Sequence, residues 1–317
     1  MTMSATERVI RGQFPFWRRA MAQAMPDPGH RVVVIGCGTS FYLAQSIAAA
    51  LNEGGRVAIA VPAAEWISRP GSYLADPAGW TVVGLSRSGA TTETVAAMTA
   101  SRSRGHAALA LTCAPDSAIA AASDAAVYLP THADEGVVMS ASASLMLLAG
   151  LRMAGAAVPG DLPDRAEAAM LALDAGGSAL WRRRHFAYLG GGARFGLACE
   201  GALKLMEMSI TPAQAFHPLE YRHGPISLID EGSVVTLLYS PETAEEEAVV
   251  SRDVRSKGGL VLGIDGPGDV RIDTGITGLA GALAALPALQ LMGERVAGAR
   301  GIDTTAPRHL TKVVVLA

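Results

Sequence analysis

The chain has 317 residues, half of them hydrophobic and 17% charged, so it has apolar material for more than one core and falls outside the disordered class. A formal net charge of -3 leaves no basic footprint for nucleic acid or an anionic membrane surface. Three cysteines, Cys37, Cys113 and Cys199, lie far apart without CxxC spacing, which excludes a disulfide framework and points to a reducing, cytoplasmic setting.

Residues 1–29 carry charge early and lack the apolar stretch of a signal peptide, so a short N-terminal helical segment is expected there. From Arg31 to Leu51 the sequence gives a β-branched apolar run, a glycine turn and then a helical pattern. Further buried strands are expected near Thr81–Leu85 and Ala107–Thr112. The same order returns 154 residues later. His185 to Leu205 repeats the strand, turn and helix, with Gly36 and Gly38 matched by Gly190 and Gly192, and Phe41 by Phe195. Ser233–Leu238 and Gly259–Ile264 repeat the second and third strands. Strands alternating with helices predict parallel sheets covered on both faces. The fold class is therefore α/β, two tandem doubly wound units over residues 30–160 and 175–317. Pro159, Gly160, Pro163, Gly176 and Gly177 cluster near the boundary. Gly275 to Gly293 is free of charge but holds Pro287, Gln290 and several glycines, so it reads as a buried helix at a core or subunit contact rather than a membrane span.

The first glycine turn fails as a dinucleotide fingerprint, because Phe41 stands where GxGxxG needs its third glycine, and Phe195 stands there in the second copy. A glycine turn feeding a helix still presents backbone N–H groups to an anion. Ser86-Arg87-Ser88-Gly89-Ala90-Thr91 offers three hydroxyls around a glycine at the next strand-to-helix turn, with Ser40 on the neighbouring helix. Two readings fit this turn: a phosphate loop, or ordinary helix capping by Ser88 or Thr91 with Glu93 favoured by the helix dipole. The matching segment of the second copy, Tyr239 to Thr243, has a proline and a carboxylate where donors would be needed.

Glu200, Lys204 and Glu207 are spaced i, i+4, i+7 and share one narrow helix face between Leu197, Leu203, Leu205, Met206 and Met208. Such flanks predict buried, paired charges rather than a solvated face. Of 26 basic residues only Lys204, Lys257 and Lys312 are lysine, so a lysine here is a candidate for work that arginine cannot do; Lys257, in a polar turn, reads as surface. Downstream, Pro218, Gly224 and Pro225 confine His217, Glu220, Arg222 and His223 to a loop or short helical turn. These residues either supply a general acid or base, or merely cap and solvate the loop.

Cys37-Gly38-Thr39-Ser40, Ser86 to Thr91, Glu200 to Glu207, Glu220 to Pro225 and Pro307 to Lys312 occur in this order, and together they resemble the double sugar-isomerase (SIS) domain. The likeness is greatest to the isomerase half of glutamine–fructose-6-phosphate aminotransferase and to stand-alone phosphosugar isomerases and deaminases. It runs from about residue 30 onward. The resemblance implies two flavodoxin-like SIS subdomains, the first binding phosphate and the second carrying the catalytic helix and a C-terminal tail. It implies phosphate binding by Gly38, Thr39, Ser40, Ser86, Ser88 and Thr91, with Arg87 where the family usually has glutamine. Glu200, Glu220 and Val137 fall in segments near the substrate, and Ala141 stands where the family has a lysine. By the same resemblance Glu207 moves the proton between carbons 1 and 2, Lys204 stands beside it, Lys312 lies near the substrate, and His223 opens the sugar ring from the neighbouring subunit of a homodimer. No metal and no redox cofactor are expected.

The residue types suit the task. Aldose–ketose interconversion opens a ring, then takes a proton from one carbon and returns it to the next; a histidine suits the first step and a desolvated carboxylate the second. The expected activity is isomerisation of a 6-phosphorylated amino sugar or ketose, with or without release of ammonia. With no room before the first strand for a glutaminase domain, glutamine-dependent synthesis is not expected. A fructosamine-6-phosphate deglycase or a sugar-phosphate sensor without turnover is the alternative, and the charged helix stripe favours the enzyme over the sensor.

Overall fold

The computed structural model describes residues 3–76 and 78–313. Two compact units emerge, and neither is one continuous stretch: the first comprises Pro15–Ala157 with residues 311–313, the second Val158–Leu310 with residues 3–14. Helices α1 (Ala5–Arg11) and α2 (Phe14–Ala22) form the N-terminal segment.

In the first unit, strands β1 (Arg31–Gly36), β2 (Val57–Pro62), β3 (Thr81–Ser86), β4 (Ala107–Thr112) and β5 (Ala125–Tyr128) pair in parallel in the order β2-β1-β3-β4-β5. Parallel neighbours need crossovers, and here they are α3 (Thr39–Glu53), α4 (Ala63–Ser68), α5 (Thr92–Ser103) and α6 (Ala118–Ala121), with α7 (Ala141–Met153) following β5. Side chains alternate across the sheet. Val33, Ile35, Val82 and Ala110 face Trp66, Met98 and Ile119 from α4, α5 and α6. Val32 and Val34, pointing the other way, are buried as fully, on the side where α3 packs against β1 and α7. Each fully buried valine contributes about 1.5–3 kcal/mol relative to leaving it in water.

The second unit repeats this layout. Following α8 (Leu162–Gly176) come β6 (His185–Gly190), α9 (Arg194–Ser209), β7 (Ala213–Phe216), β8 (Ser233–Leu238), α10 (Ala244–Ser256), β9 (Leu260–Ile264), β10 (Val270–Ile272) and α11 (Leu279–Ala299). The sheet order is β10-β9-β8-β6-β7, again all parallel. Ala187, Leu189, Val235 and Leu237 pack with Val250 and Val254 of α10, while Tyr188 on the opposite face meets α9 and α11. The uncharged stretch predicted as a buried helix is α11, which continues through Pro287 and packs against α8 and α9. No helix among the described residues is long and apolar enough to cross a membrane.

The helix carrying the charged stripe, α9, is seated by two close approaches. A Cβ at Gly201 would lie 2.9 Å from the Tyr188 ring, and one at Gly293 of α11 would lie 2.8 Å from Met208 Sδ. Glycine at these points lets α9 pack tightly against β6 and α11. The second unit is further tied by a cluster in which Arg295 bonds both Glu7 (2.7 Å) and Asp174 (2.6 Å), while Arg11 contacts the same two carboxylates.

Candidate active-site residues

In an open parallel sheet, ligands bind outside the carboxyl ends of the strands where the strand order reverses. In the first unit that point lies between β1 and β3, and the two loops singled out from the sequence leave those strands. At the end of β1 a Cβ on Gly36 would sit 2.6 Å from the Ser40 carbonyl carbon, so only glycine lets α3 start this close. Gly38 takes φ +55° and precedes α3, where Thr39 and Ser40 are buried. At the end of β3 the Ser86 hydroxyl accepts the Gly89 N–H (3.1 Å) and lies 3.3 Å from Thr91 Oγ1. Ser88 Oγ accepts the Ala90 N–H at 3.2 Å. A hydroxyl oxygen that accepts from a backbone N–H, as in Ser88, keeps its proton for an outside acceptor, while in the Ser86–Thr91 pair one hydroxyl donates to the other and one proton is left. Capping does not account for this loop: Thr91 occupies the cap position of α5 without a side-chain cap bond, and Ser88 bonds two residues on, not into the helix.

Arg87, which stands inside this loop, turns inward. Only 8% exposed, its guanidinium donates to the carbonyls of Gly136 (2.9 Å), Val137 (3.1 Å) and Lys312 (3.0 Å). Lys312 in turn donates its ammonium to the Glu135 carbonyl at 2.7 Å, so residues 311–313 join the first unit and not the second. Glu135 carries no sequence signal that singles it out. Its buried carboxylate accepts the N–H groups of Ser140 (2.7 Å) and Ser142 (3.0 Å) and caps α7, whose first residue is Ala141. The Val137 contribution is its main-chain carbonyl. A cavity of about 300 Å³ opens beside this cluster, lined in part by Arg87, Ser88, Cys113, Tyr128 and Lys312. Burial pushes the Cys113 thiol well up, which makes it a poor nucleophile.

The second unit's counterpart has the same backbone and different chemistry. A Cβ on Gly190 would lie 2.4 Å from the Arg194 carbonyl oxygen, and Gly192 takes φ +53°, so Arg194 stands where the first unit has Ser40. After β8, the Ser240 N–H and the Thr243 hydroxyl both donate to the Glu247 carboxylate at 2.8 Å. The chain's own carboxylate thus occupies the anion position at the start of α10. The adjoining cavity of about 430 Å³ holds Arg194, Asp265 and Asp273.

On α9, Lys204 and Glu200 are fully buried and Glu207 is 20% exposed. Lys204 Nζ contacts Glu207 Oε2 and lies 3.6 Å from Glu200 Oε1. Glu200 is as fully buried as the lysine and exposes no surface of its own. Glu207 is the member that reaches solvent. The His223 turn consists of two short 3-10 segments, Glu220–Arg222 and Pro225–Leu228, joined through Gly224 at φ +138°. His223 and Glu220 are exposed, with Leu219 and Leu228 exposed beside them. His217 stacks on Phe195 at 4.1 Å between ring centroids. Among the described residues no group of three His, Cys, Asp or Glu side chains is placed to hold a metal ion.

The SIS domain family model matches residues 28–154 and 179–274. The isomerizing glutamine–fructose-6-phosphate aminotransferase of Zymomonas mobilis is 29% identical, over 92% of this chain and 54% of the relative. Its counterpart from Pyrobaculum aerophilum is 30% identical, over 90% of this chain and 51% of the relative. The chain therefore spans about half the length of these relatives. Among solved structures, glucosamine-6-phosphate deaminase from Thermotoga maritima is 28% identical with a TM-score of 0.86, covering 99% of this chain and 100% of that one. Tagatose-6-phosphate ketose/aldose isomerase from Escherichia coli shares the fold, with a TM-score of 0.82 at 23% identity over 99% of this chain and 96% of that one.

Proposed function

The chain belongs to the SIS domain family of phosphosugar isomerases, and from that premise we propose that it isomerises a 6-phosphorylated amino sugar and releases ammonia, converting glucosamine 6-phosphate to fructose 6-phosphate. The observation that carries this reading is the α9 stripe: a solvent-reaching carboxylate, Glu207, on a fully buried ammonium, Lys204, backed by a second buried carboxylate, Glu200. A sensor has no use for such a group, whereas proton transfer between carbons needs one. Similarity over the full length to a glucosamine-6-phosphate deaminase favours the amino sugar.

In this mechanism the sugar phosphate takes the hydroxyls of Ser40, Ser86, Ser88 and Thr91. His223, supplied by a second copy of the chain, transfers the proton that opens the ring. Glu207 removes the proton from carbon 2 and returns it to carbon 1, while the Lys204 ammonium steadies the negative charge that develops between these steps. Carbon 2 is left as an imine. Water adds to it, and ammonia leaves as the ketone forms. Lys312 lies beside the substrate and adds positive charge there.

The test is incubation with glucosamine 6-phosphate and assay of both ammonia and fructose 6-phosphate. Glu207→Gln is expected to lower kcat by about a thousandfold, in the range lost with a general base. Near-normal turnover in that variant would remove Glu207 from this role. A wild-type protein that yields neither product would refute the deaminase reading.

A further inference from the structure

We infer that Arg87 is a positioning residue that fastens the Lys312 segment to the phosphate loop, so that the loop and the substrate-side lysine are set in place together. The inference rests on the role proposed above for Lys312 and deepens it. Arg87 belongs to the loop itself, between Ser86 and Ser88, yet its three hydrogen bonds all go to main-chain carbonyls, those of Gly136, Val137 and Lys312. These carbonyls come from two segments distant in sequence, one preceding α7 and one at the end of the described chain. The guanidinium suits this task because its planar fork carries several donors at fixed angles, and its charge persists when buried.

The lysine is held at two points. Its carbonyl accepts from Arg87, and its ammonium donates to the Glu135 carbonyl. Glu135 is itself fixed by its carboxylate on the Ser140 and Ser142 N–H groups. The loop, the 135–137 segment, the first turn of α7 and the C-terminal segment therefore form one bonded set with Arg87 at its junction. The neutral side chain usual at position 87 in the resembled family has fewer donors and no charge, so the three-carbonyl fastening is specific to the arginine here. A shift of the phosphate loop would be transmitted to Lys312 through this side chain.

Three variants of the full-length protein, Arg87→Gln, Arg87→Lys and Lys312→Ala, together with the Arg87→Gln/Lys312→Ala double variant, test the inference by two independent readouts. The first is amide hydrogen exchange with and without inorganic phosphate, which needs no knowledge of the substrate. Arg87→Gln is expected to raise exchange about tenfold or more in the peptides carrying Gly136–Val137 and Lys312, and Arg87→Lys to do so less. The sheet strands serve as the internal control for folding. The second is the kinetic split with glucosamine 6-phosphate: kcat falls more than KM rises, and the double variant is no worse than Lys312→Ala alone, because Arg87 acts through that lysine. Unchanged exchange at the C-terminal peptide in both Arg87 variants would overturn the inference, as would losses that multiply in the double variant. If the wild type does not turn over the sugar, the proposed reaction fails while the exchange experiment still decides the fastening.

Discussion

Replacing Lys204 with Met nearly preserves side-chain volume and removes one charge from the interior of α9. Lys204 and Glu200 are both fully buried, with Nζ and Oε1 3.6 Å apart, whereas Glu207 reaches water. Loss of the ammonium therefore falls mainly on Glu200. At 3.6 Å and an effective dielectric constant of about 20, the attraction is about 5 kcal/mol. Desolvation offsets much of that in the native protein, but the cost of burying the Glu200 charge remains when the ammonium is gone, and breaking a buried pair in this way costs about 3–5 kcal/mol. The melting temperature is expected to fall by about 10 °C at about pH 8. The pH dependence has a definite sign. Without the ammonium, burial raises the folded-state pKa of Glu200 above its unfolded value, so the variant recovers as pH falls through that raised value and its deficit is smaller at about pH 5. Thermal unfolding followed by circular dichroism at both pH values, with Lys204→Met/Glu200→Gln alongside, checks the reasoning. The double variant is expected to regain most of the loss and to lose the pH dependence. A single variant within about 2 °C of wild type at about pH 8, or a double variant no more stable than the single, would refute it.

Gly89→Ala is expected to abolish saturable binding of inorganic phosphate: at φ +64° the new Cβ would lie 2.2 Å from Ser117 Oγ, so the loop must rebuild. Left-handed strain alone costs about 1–2 kcal/mol, and calorimetric titration showing wild-type affinity would contradict the assignment of this loop. The acid response of the second unit should come from Glu7 and Asp174, whose carboxyls are held low by hydrogen bonds from Arg295. Carboxyls lowered in the folded state contribute stability above their unfolded values and lose it as pH falls through the folded ones, so the urea midpoint should drop below about pH 4. In Arg295→Gln the midpoint should start lower, by about 2 kcal/mol of stability, and change less over that window; parallel curves for the two proteins would rule this out.

The central strands were legible because they are buried on both faces and read as unbroken apolar runs: β1, β3, β4, β6, β8 and β9 all lie where the sequence places strands. The missed strands, β2, β5, β7 and β10, are the edges. They are short or half-exposed, and their alanines and polar residues carry no period strong enough to separate them from loops. The doubled glycines fixed both turns, since Gly38 and Gly192 adopt nearly the same φ. Burial of Glu200 and Lys204 followed from their apolar flanks, although Met206, counted among those flanks, is exposed beside Glu207. Arg87 was visible as a departure, but its partners lie 49 to 225 positions away, and no local pattern shows where a long side chain points. Glu135 went unnoticed because a carboxylate at a helix start is a common residue in a common place.

The interleaving of the two units sets an order on the making of the protein. Arg87 leaves the ribosome 225 residues ahead of Lys312, whose carbonyl completes its bonding. At ordinary synthesis speeds that interval is on the order of ten seconds or more, during which the nascent first unit lacks its final segment. The early helix α1 waits as long for Arg295, which joins Glu7 from 288 positions downstream. Cleaving the chain near Ala157 would leave two incomplete pieces, one without the segment that holds Lys312 and the other without α1. Co-expressed halves should therefore recover the fold only when the N-terminal helix and the C-terminal segment each travel with the unit they complete.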